Sequence, residues 1–327
     1  MRQHLTKSAM YFQMILFTHF RRITNQQTET LLLLSFGHLF GLYNPIQIAE
    51  ALSIPKANLY RHLKGFSVYQ WKSLLVRIGC SIAIQEIQET ESKSASTKSR
   101  RCITISVDDT NVSRYGKLLS YCYNWWSKKH NSTIRGQNVL GITIKIGNMI
   151  IPLNIRIVGK QGRGNTDKPS LFNAMLNEVL DFFDAQGIDL RQYPITFDSW
   201  YGSQRLVQNL SEIGFDRILF HGKSNYVMDI NNENIKLSQH KKQIDLNPPQ
   251  WGCNKPHYRN QATSPTFGKL VILFFLDVSK IQTMLVFGKS LRSCEILRIW
   301  SQHHSIEQFW RHLKTLLKLS KMSLQPV

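Results

Sequence analysis

The chain has 327 residues, with 41 Lys and Arg against 21 Asp and Glu, a formal charge of +20. So basic a chain favours an anionic polymer as partner, and its length holds a sizeable core in about two domains. At 42% hydrophobic and 19% charged residues it is globular rather than a disordered tail, and its cysteines (Cys80, Cys102, Cys122, Cys253, Cys294) lack zinc-ribbon spacing and fit a reducing compartment.

Residues 10–17 are partly apolar, but Gln13 interrupts them and no small-residue cleavage site follows; a helix is expected there, not a signal peptide. The longest unbroken apolar run, Leu270–Leu276, is far too short to cross a bilayer, so no membrane partner is expected. Residues 1–87 read as an all-α domain. Leu31–Leu34, Phe36, Leu39 and Phe40 recur near helical spacing. In "NPIQIAEALSIPKANLYRHLKGFS", Ile46, Ile48, Ala49 and Leu52 make one short helix and Ser53-Ile54-Pro55 a turn. Lys56–Leu63 makes a second helix with Leu59 and Leu63 inward. This is a helix-turn-helix pattern that leaves Lys56, Asn58, Tyr60 and Arg61 outward for DNA. A helical hairpin with a solvated basic face gives the same pattern; the net charge favours DNA. Residues 88–101, "QETESKSASTKSRR", have almost no apolar content and are expected to be a polar linker at the domain boundary.

From residue 102 to 327 the period changes. Ile103, Ile105 and Val107 alternate with Thr104 and Ser106, a strand ending at Asp108. Two strands near 139–146 and 149–157 meet at Gly147-Asn148, a two-residue hairpin turn. Phe172, Leu176, Val179, Leu180 and Phe183 share a helical face, closed near Gly187. "PITF" is a fourth strand, ending at Asp198. A helix follows with Leu206, Leu210 and Ile213 in phase and Gly214 after it, then a strand in "DRILF". Residues 222–265 are polar, two strong strands follow in "KLVILFFLD" and "QTMLVFGK", and a long helix starts near Cys294. This α/β order is the one used by RNase H-like nucleases, in which the first and fourth strands are neighbours.

Asp108 and Asp198 would then converge at one rim. Glu307 is the candidate third acid, beside the helical stripe Ile306, Phe309, Trp310, Leu313 and Leu317. Phosphodiester cleavage needs an activated nucleophile and charge stabilisation on the leaving oxygen. Two Mg²⁺ (or Mn²⁺) ions supply both, and a few carboxylates suffice to hold them. Asp109 remains an alternative to Asp108. Asp277 reads as a strand-end turn residue, and Asp181 and Asp184 as a solvated helix face. His303 and His304 point apart on a helix and lack a third metal ligand, Trp125-Trp126 reads as packing, and "GKQGRG" (159–164) as a flexible basic loop.

At these residues the chain resembles the DDE transposases of bacterial insertion sequences, in the group with a β-strand insertion between the second Asp and the Glu. The matching pieces are "ISVDDT", with Asp108 and Thr110 as a D-x-T motif, "FDSWYGS" with Asp198, and a C-terminal signature. In the family that signature is Tyr, two residues, Arg, three residues, Glu, six residues, Lys. Here it reads Trp300, His303, Glu307 and Lys314 at the same spacing.

The resemblance covers about residues 20–320. It implies an RNase H-like mixed sheet flanked by helices, with a β-rich insertion at about 222–290 in which Trp251 is a candidate for base stacking. It implies metal binding and catalysis by Asp108, Asp198 and Glu307, and DNA contacts from Trp300, His303 and Lys314. The implied function is transposition: binding of terminal inverted repeats, metal-dependent cleavage and strand transfer, on double-stranded transposon ends and target, by a homodimer in the bacterial cytoplasm at the nucleoid. Only 13 residues follow Lys314, where relatives carry further helices, so a shortened copy is expected. Two rival readings stand beside this one: a nuclease of the same fold that never joins strands, and an inactive DNA-binding remnant.

Overall fold

Alternating apolar and polar residues build one large sheet with helices on both faces. The computed structural model describes residues 24–37, 42, 45–94, 102–114, 121–127, 131–160, 168–199, 201–248, 255–277, 280–289 and 291–319; for 35, 36, 68, 69, 307 and 309–319 it describes the backbone alone. The helix expected at 10–17, Leu39, Phe40, residues 161–164, Trp251 and the C-terminal residues 320–327 lie outside the described residues.

The N-terminal part is helical: α1 (Asn25–Gly37), α2 (Pro45–Ala51), α3 (Lys56–Lys64) and α4 (Val68–Ser94). Between α2 and α3 the chain reverses at Ser53, whose φ is 53°, and Pro55 keeps Ile54 out of helical conformation. Ile48, Ala49 and Leu59 pack there with Leu33, Leu34, Leu42 and Ile54. Leu52, expected inside α2, falls in this turn and is 48% exposed.

Residues 88–94, expected as linker, continue α4. Their polar side chains suit a helix that is only part-covered. Gln85 donates to Glu89 one turn on (3.3 Å), Thr90 is buried, and Tyr193 donates its hydroxyl to Glu91 (2.9 Å). The other face of α4 presents Val76, Cys80, Ala83, Ile84 and Ile87 to the main core. The first half of the expected linker is therefore packed helix, and residues 95–101 lie outside the described residues.

The strands are β1 (Ile103–Ser113), β2 (Tyr123–Ser127), β3 (Ser132–Ile146), β4 (Met149–Val158), β5 (Ile195–Phe197), β6 (Arg217–His221), β7 (Val227–Ile230), β8 (Glu233–Lys236), β9 (His257–Ser264), β10 (Gly268–Asp277) and β11 (Lys280–Gly288). Helices α5 (Lys168–Asp184), α6 (Gln204–Ile213) and α7 (Leu237–Gln243) lie between them, and α8 (Ser293–Leu319) follows. β1 is antiparallel to β3 and parallel to β5, β5 is parallel to β6, and β4 lies on the far edge of β3. The expected turn at Gly147-Asn148 joins β3 to β4, with Gly147 at φ 59°.

Residues 222–290 extend the same sheet in the order β6-β11-β10-β9-β7-β8. β10 and β11 are the two strong strands expected there. β7, β8, α7 and β9 occupy the stretch that reads as merely polar.

Side-chain alternation sends neighbours to opposite faces. Ile218, Phe220, Ile272, Phe274 and Leu285 join the core that also contains residues of α4, α5 and α6. Leu219, Leu273, Phe275, Met284 and Val286 face Ile296, Ile299 and Trp300 of α8. Ser203 caps α6 by accepting from Leu206 N–H (3.4 Å), and Gly214 ends it at φ 109°. Among the described residues no helix is long and apolar enough to cross a membrane.

Candidate active site

β1 and β5 run side by side with Ser106 opposite Thr196 and Val107 opposite Phe197. Asp108 and Asp198 come next in register, so the two acids occupy neighbouring positions about 4.8 Å apart in backbone spacing; Asp198 directly follows β5, whereas Asp108, expected at a strand end, lies within β1, which stays paired with β3 to Ser113. Both are half-buried. Each is oriented by the following backbone N–H: Asp109 N–H donates to Asp108 Oδ1 (2.8 Å), and Ser199 N–H to Asp198 Oδ1 (2.6 Å). Past Asp198 the chain turns at once, with Tyr201 N–H returning to Asp198 O (3.0 Å) before α6 begins.

Asp109 points to the opposite face. Its carboxylate accepts from Lys168 Nζ (2.9 Å), from Asn138 and from the hydroxyl of Tyr201 (3.0 Å). Tyr201 is 2% exposed. Burial, and then the negative charges of Asp109, Asp108 and Asp198, push its hydroxyl pKa upward, so it stays a protonated donor. Asp109 is thus committed to a structural network, while Asp108 lies on the α8 face.

α8 is set against that face by a polar seam. Thr104, Ser106 and Thr196 are all buried. Gln302 accepts from the Thr104 hydroxyl and donates to Cys102 O (2.9 Å). His303 Nδ1 is shared by Ser106 Oγ (2.6 Å) and Thr196 Oγ1 (2.8 Å). Burial, with His221 nearby, pushes the His303 pKa down to about 3, so the ring is neutral. Gln302 meets residues 102–104 and His303 meets 106 and 196, so α8 advances in the same direction as β1 and β5. Position 307, one turn beyond His303, rises about 6 Å along the helix. Asp108 and Asp198, two residues beyond Ser106 and Thr196, rise about 6.6 Å along their strands. The helix backbone therefore carries position 307 to the rim that bears the two acids.

Among the described side chains no group of three His, Cys, Asp or Glu forms a metal cluster. Asp108 and Asp198 supply hard, half-exposed oxygen donors of the kind Mg²⁺ or Mn²⁺ takes. Their chemistry fits such an ion.

The expected DNA-contacting residues fall into two groups. On α3, Lys56 and Arg61 are exposed, while Asn58 and Tyr60 are half-buried. On α8, Trp300 and His303, expected to contact DNA, are instead 7% and 1% exposed and packed against the sheet, which leaves neither side chain a surface to present to DNA. Lys314 lies on the described backbone of α8. Asp277 ends β10 and pairs with Lys255, and Asp184 pairs with Arg191 (2.9 Å). His304 stacks on Trp300, with ring centres 5.5 Å apart. Trp125 is packed, as expected, whereas Trp126 is 59% exposed.

The side chains around the candidate site that the sequence did not single out are Lys168, Tyr201, Asn138 and Gln302. Only Tyr201 carried a signal, standing three residues after Asp198. In comparisons with known proteins, no family model matches the chain and no curated protein matches it significantly.

Proposed function

We propose that the chain is a metal-dependent DNA transposase of RNase H-like architecture, with Asp108, Asp198 and Glu307 as its acids. One observation carries the reading: Asp108, within β1, and Asp198, directly after β5, take neighbouring positions on adjacent parallel strands, and α8 runs alongside them so that position 307 approaches the same rim. The sheet order β4-β3-β1-β5-β6, with β3 antiparallel to β1, supports the fold assignment. The β-rich segment between β6 and α8 stands where the resemblance calls for an insertion.

Two Mg²⁺ or Mn²⁺ ions held by these three residues would supply Lewis acidity and a nucleophile active at neutral pH. The backbone N–H groups of Asp109 and Ser199 hold one oxygen of each carboxylate in place, and the two side chains would share in holding such ions. The Asp109–Lys168–Tyr201 network braces both acidic segments from behind. The α2–α3 pair is read as a helix-turn-helix, with exposed Lys56 and Arg61 meeting phosphates and Asn58 and Tyr60 beside them. Synapsis of two ends makes the working form a homodimer.

The test is Mg²⁺-dependent nicking of a labelled inverted-repeat duplex, followed by strand transfer from pre-cleaved ends. Glu307→Gln and Asp198→Asn are expected to abolish nicking and leave duplex binding intact. Full cleavage by either variant overturns the site. Cleavage without joined product favours a hydrolytic nuclease. Absence of nicking by the wild-type chain favours a DNA-binding remnant, a reading that the burial of His303 supports, since that ring offers no contact to a phosphate.

A further inference from the structure

The β2–β3 hairpin exposes a large aromatic ring on the same sheet face as Asp108. Trp126 pairs with Thr133 and Asn124 with Arg135 on β3, while Asp108 pairs with Gly141 of the same strand. Cross-strand partners share a face, and Thr133, Arg135 and Gly141 are separated by even numbers of residues. Trp126, Arg135 and Asp108 therefore lie on one face. Trp126 is 59% exposed, and Arg135 is exposed.

The opposite face of the hairpin is fixed. Trp125 is 8% exposed and donates its Nε1–H to Gly136 O (2.9 Å). Lys160 Nζ lies 4.7 Å from the Trp125 ring centre and donates to Asn124 O (2.8 Å). Asn111 donates to Trp126 O (3.0 Å) and shares Asn138 with Asp109. The exposed ring thus stands on a braced strand tied by hydrogen bonds to the segment that carries Asp108.

Charge says what the face takes. Between Asp109 and Asp167 the chain has 57 residues with no Asp or Glu and nine Lys or Arg. Eight residues of β3 separate the position opposite Asp108 from the one opposite Trp126, a span of about 27 Å. A stacked strand covers that span in roughly eight nucleotides at ~3.4 Å each. A basic, acid-free stretch of chain carrying an exposed indole beside an exposed Arg135 suits a polyanion with unpaired bases.

We infer that this hairpin face binds a single-stranded nucleic-acid arm, with a base stacked on Trp126 and a phosphate on Arg135, roughly eight nucleotides from the carboxylate pair. The inference rests on the nucleic-acid reading above.

The test uses the full chain, without divalent metal, and fluorescence anisotropy of labelled duplexes carrying single-stranded arms of about 4 or about 12 nucleotides, one short of and one beyond the span of about 27 Å. The longer arm is expected to bind roughly tenfold more tightly. Trp126→Ala removes that gain, and Trp126→Phe keeps most of it. Arg135→Ala lowers the slope of log affinity against log salt by about 0.7. Equal affinity for both arms, or an undiminished gain in Trp126→Ala, overturns the inference. So does the same Trp126-dependent gain with a fully paired arm. Because no metal is present, arm binding that survives beside absent nicking retires the transposase reading and keeps the platform.

Discussion

Tyr201 donates its hydroxyl to Asp109 across 3.0 Å, joining the segment that follows Asp198 to the residue that follows Asp108. One hydrogen bond to a charged acceptor thus fixes the offset between the two acidic segments. Such bonds contribute about 1.5–3 kcal/mol. Tyr201→Phe is expected to lower stability by roughly that amount and to reduce the nicking kcat about tenfold, at unchanged DNA affinity. Urea denaturation and single-turnover nicking check this; unaltered kcat would exclude a positioning role.

Lys168 and Asp109 form a mostly buried ion pair, their side chains 9% and 19% exposed. Removing one partner strands a buried charge, which costs about 3–5 kcal/mol. Lys168→Met is therefore expected to be severely destabilising. The double change Asp109→Asn with Lys168→Met recovers much of the loss, because no uncompensated charge remains. Denaturation midpoints of the three variants complete the cycle.

His303 gives stability a pH dependence of known sign. Its folded pKa, about 3, lies below the unfolded value, so the unfolded chain takes the extra proton as acid is added. The full contribution is present above pH ~6.5 and is lost progressively as pH falls toward the folded value. The loss is about 1.4 kcal/mol per pH unit, or roughly 2 kcal/mol at pH ~5. His303→Gln, which does not titrate, is expected to show a shallower slope over this window, measured by chemical denaturation at a series of pH values. Identical slopes would contradict the buried neutral ring.

Gly79 lies where α4 meets the sheet, and a Cβ there would fall 2.0 Å from Pro152 O. Backbone on both sides leaves nothing to swing away. Gly79→Ala, normally favourable within a helix, is expected to cost about 2 kcal/mol or more by prising α4 from β4. A rise in melting temperature would show that the two backbones separate more easily than this spacing implies.

Much of the site was legible because its parts are local. Asp198 ends a short apolar run and precedes a capped helix, and Asp108 ends the part of β1 that alternates in residue type, although the strand itself continues to Ser113. Other parts depend on distance. Thr104 and Ser106 look like the wet half of an alternation, yet α8 covers them and supplies Gln302 and His303, some 200 residues away. Lys168 becomes Asp109's partner across a sequence separation of 59 residues. The 88–94 stretch was misread because a helix with one part-exposed face needs few apolar residues. β2 escaped notice because "YNWWS" shows no alternation in residue type, although its burial alternates.

The 27-residue helix α4 spans about 40 Å. Near its start Trp71, Leu74 and Ile78 pack with Leu31 and Phe66, and farther along it is sunk in the core shared with the sheet. It acts as a camshaft: one inserted residue would swing the α1–α3 head by about 100° and advance it by only about 1.5 Å. The orientation of the head and the position of the acids are therefore phased by a count of residues, and changes of three or four at a time would preserve that timing better than a change of one.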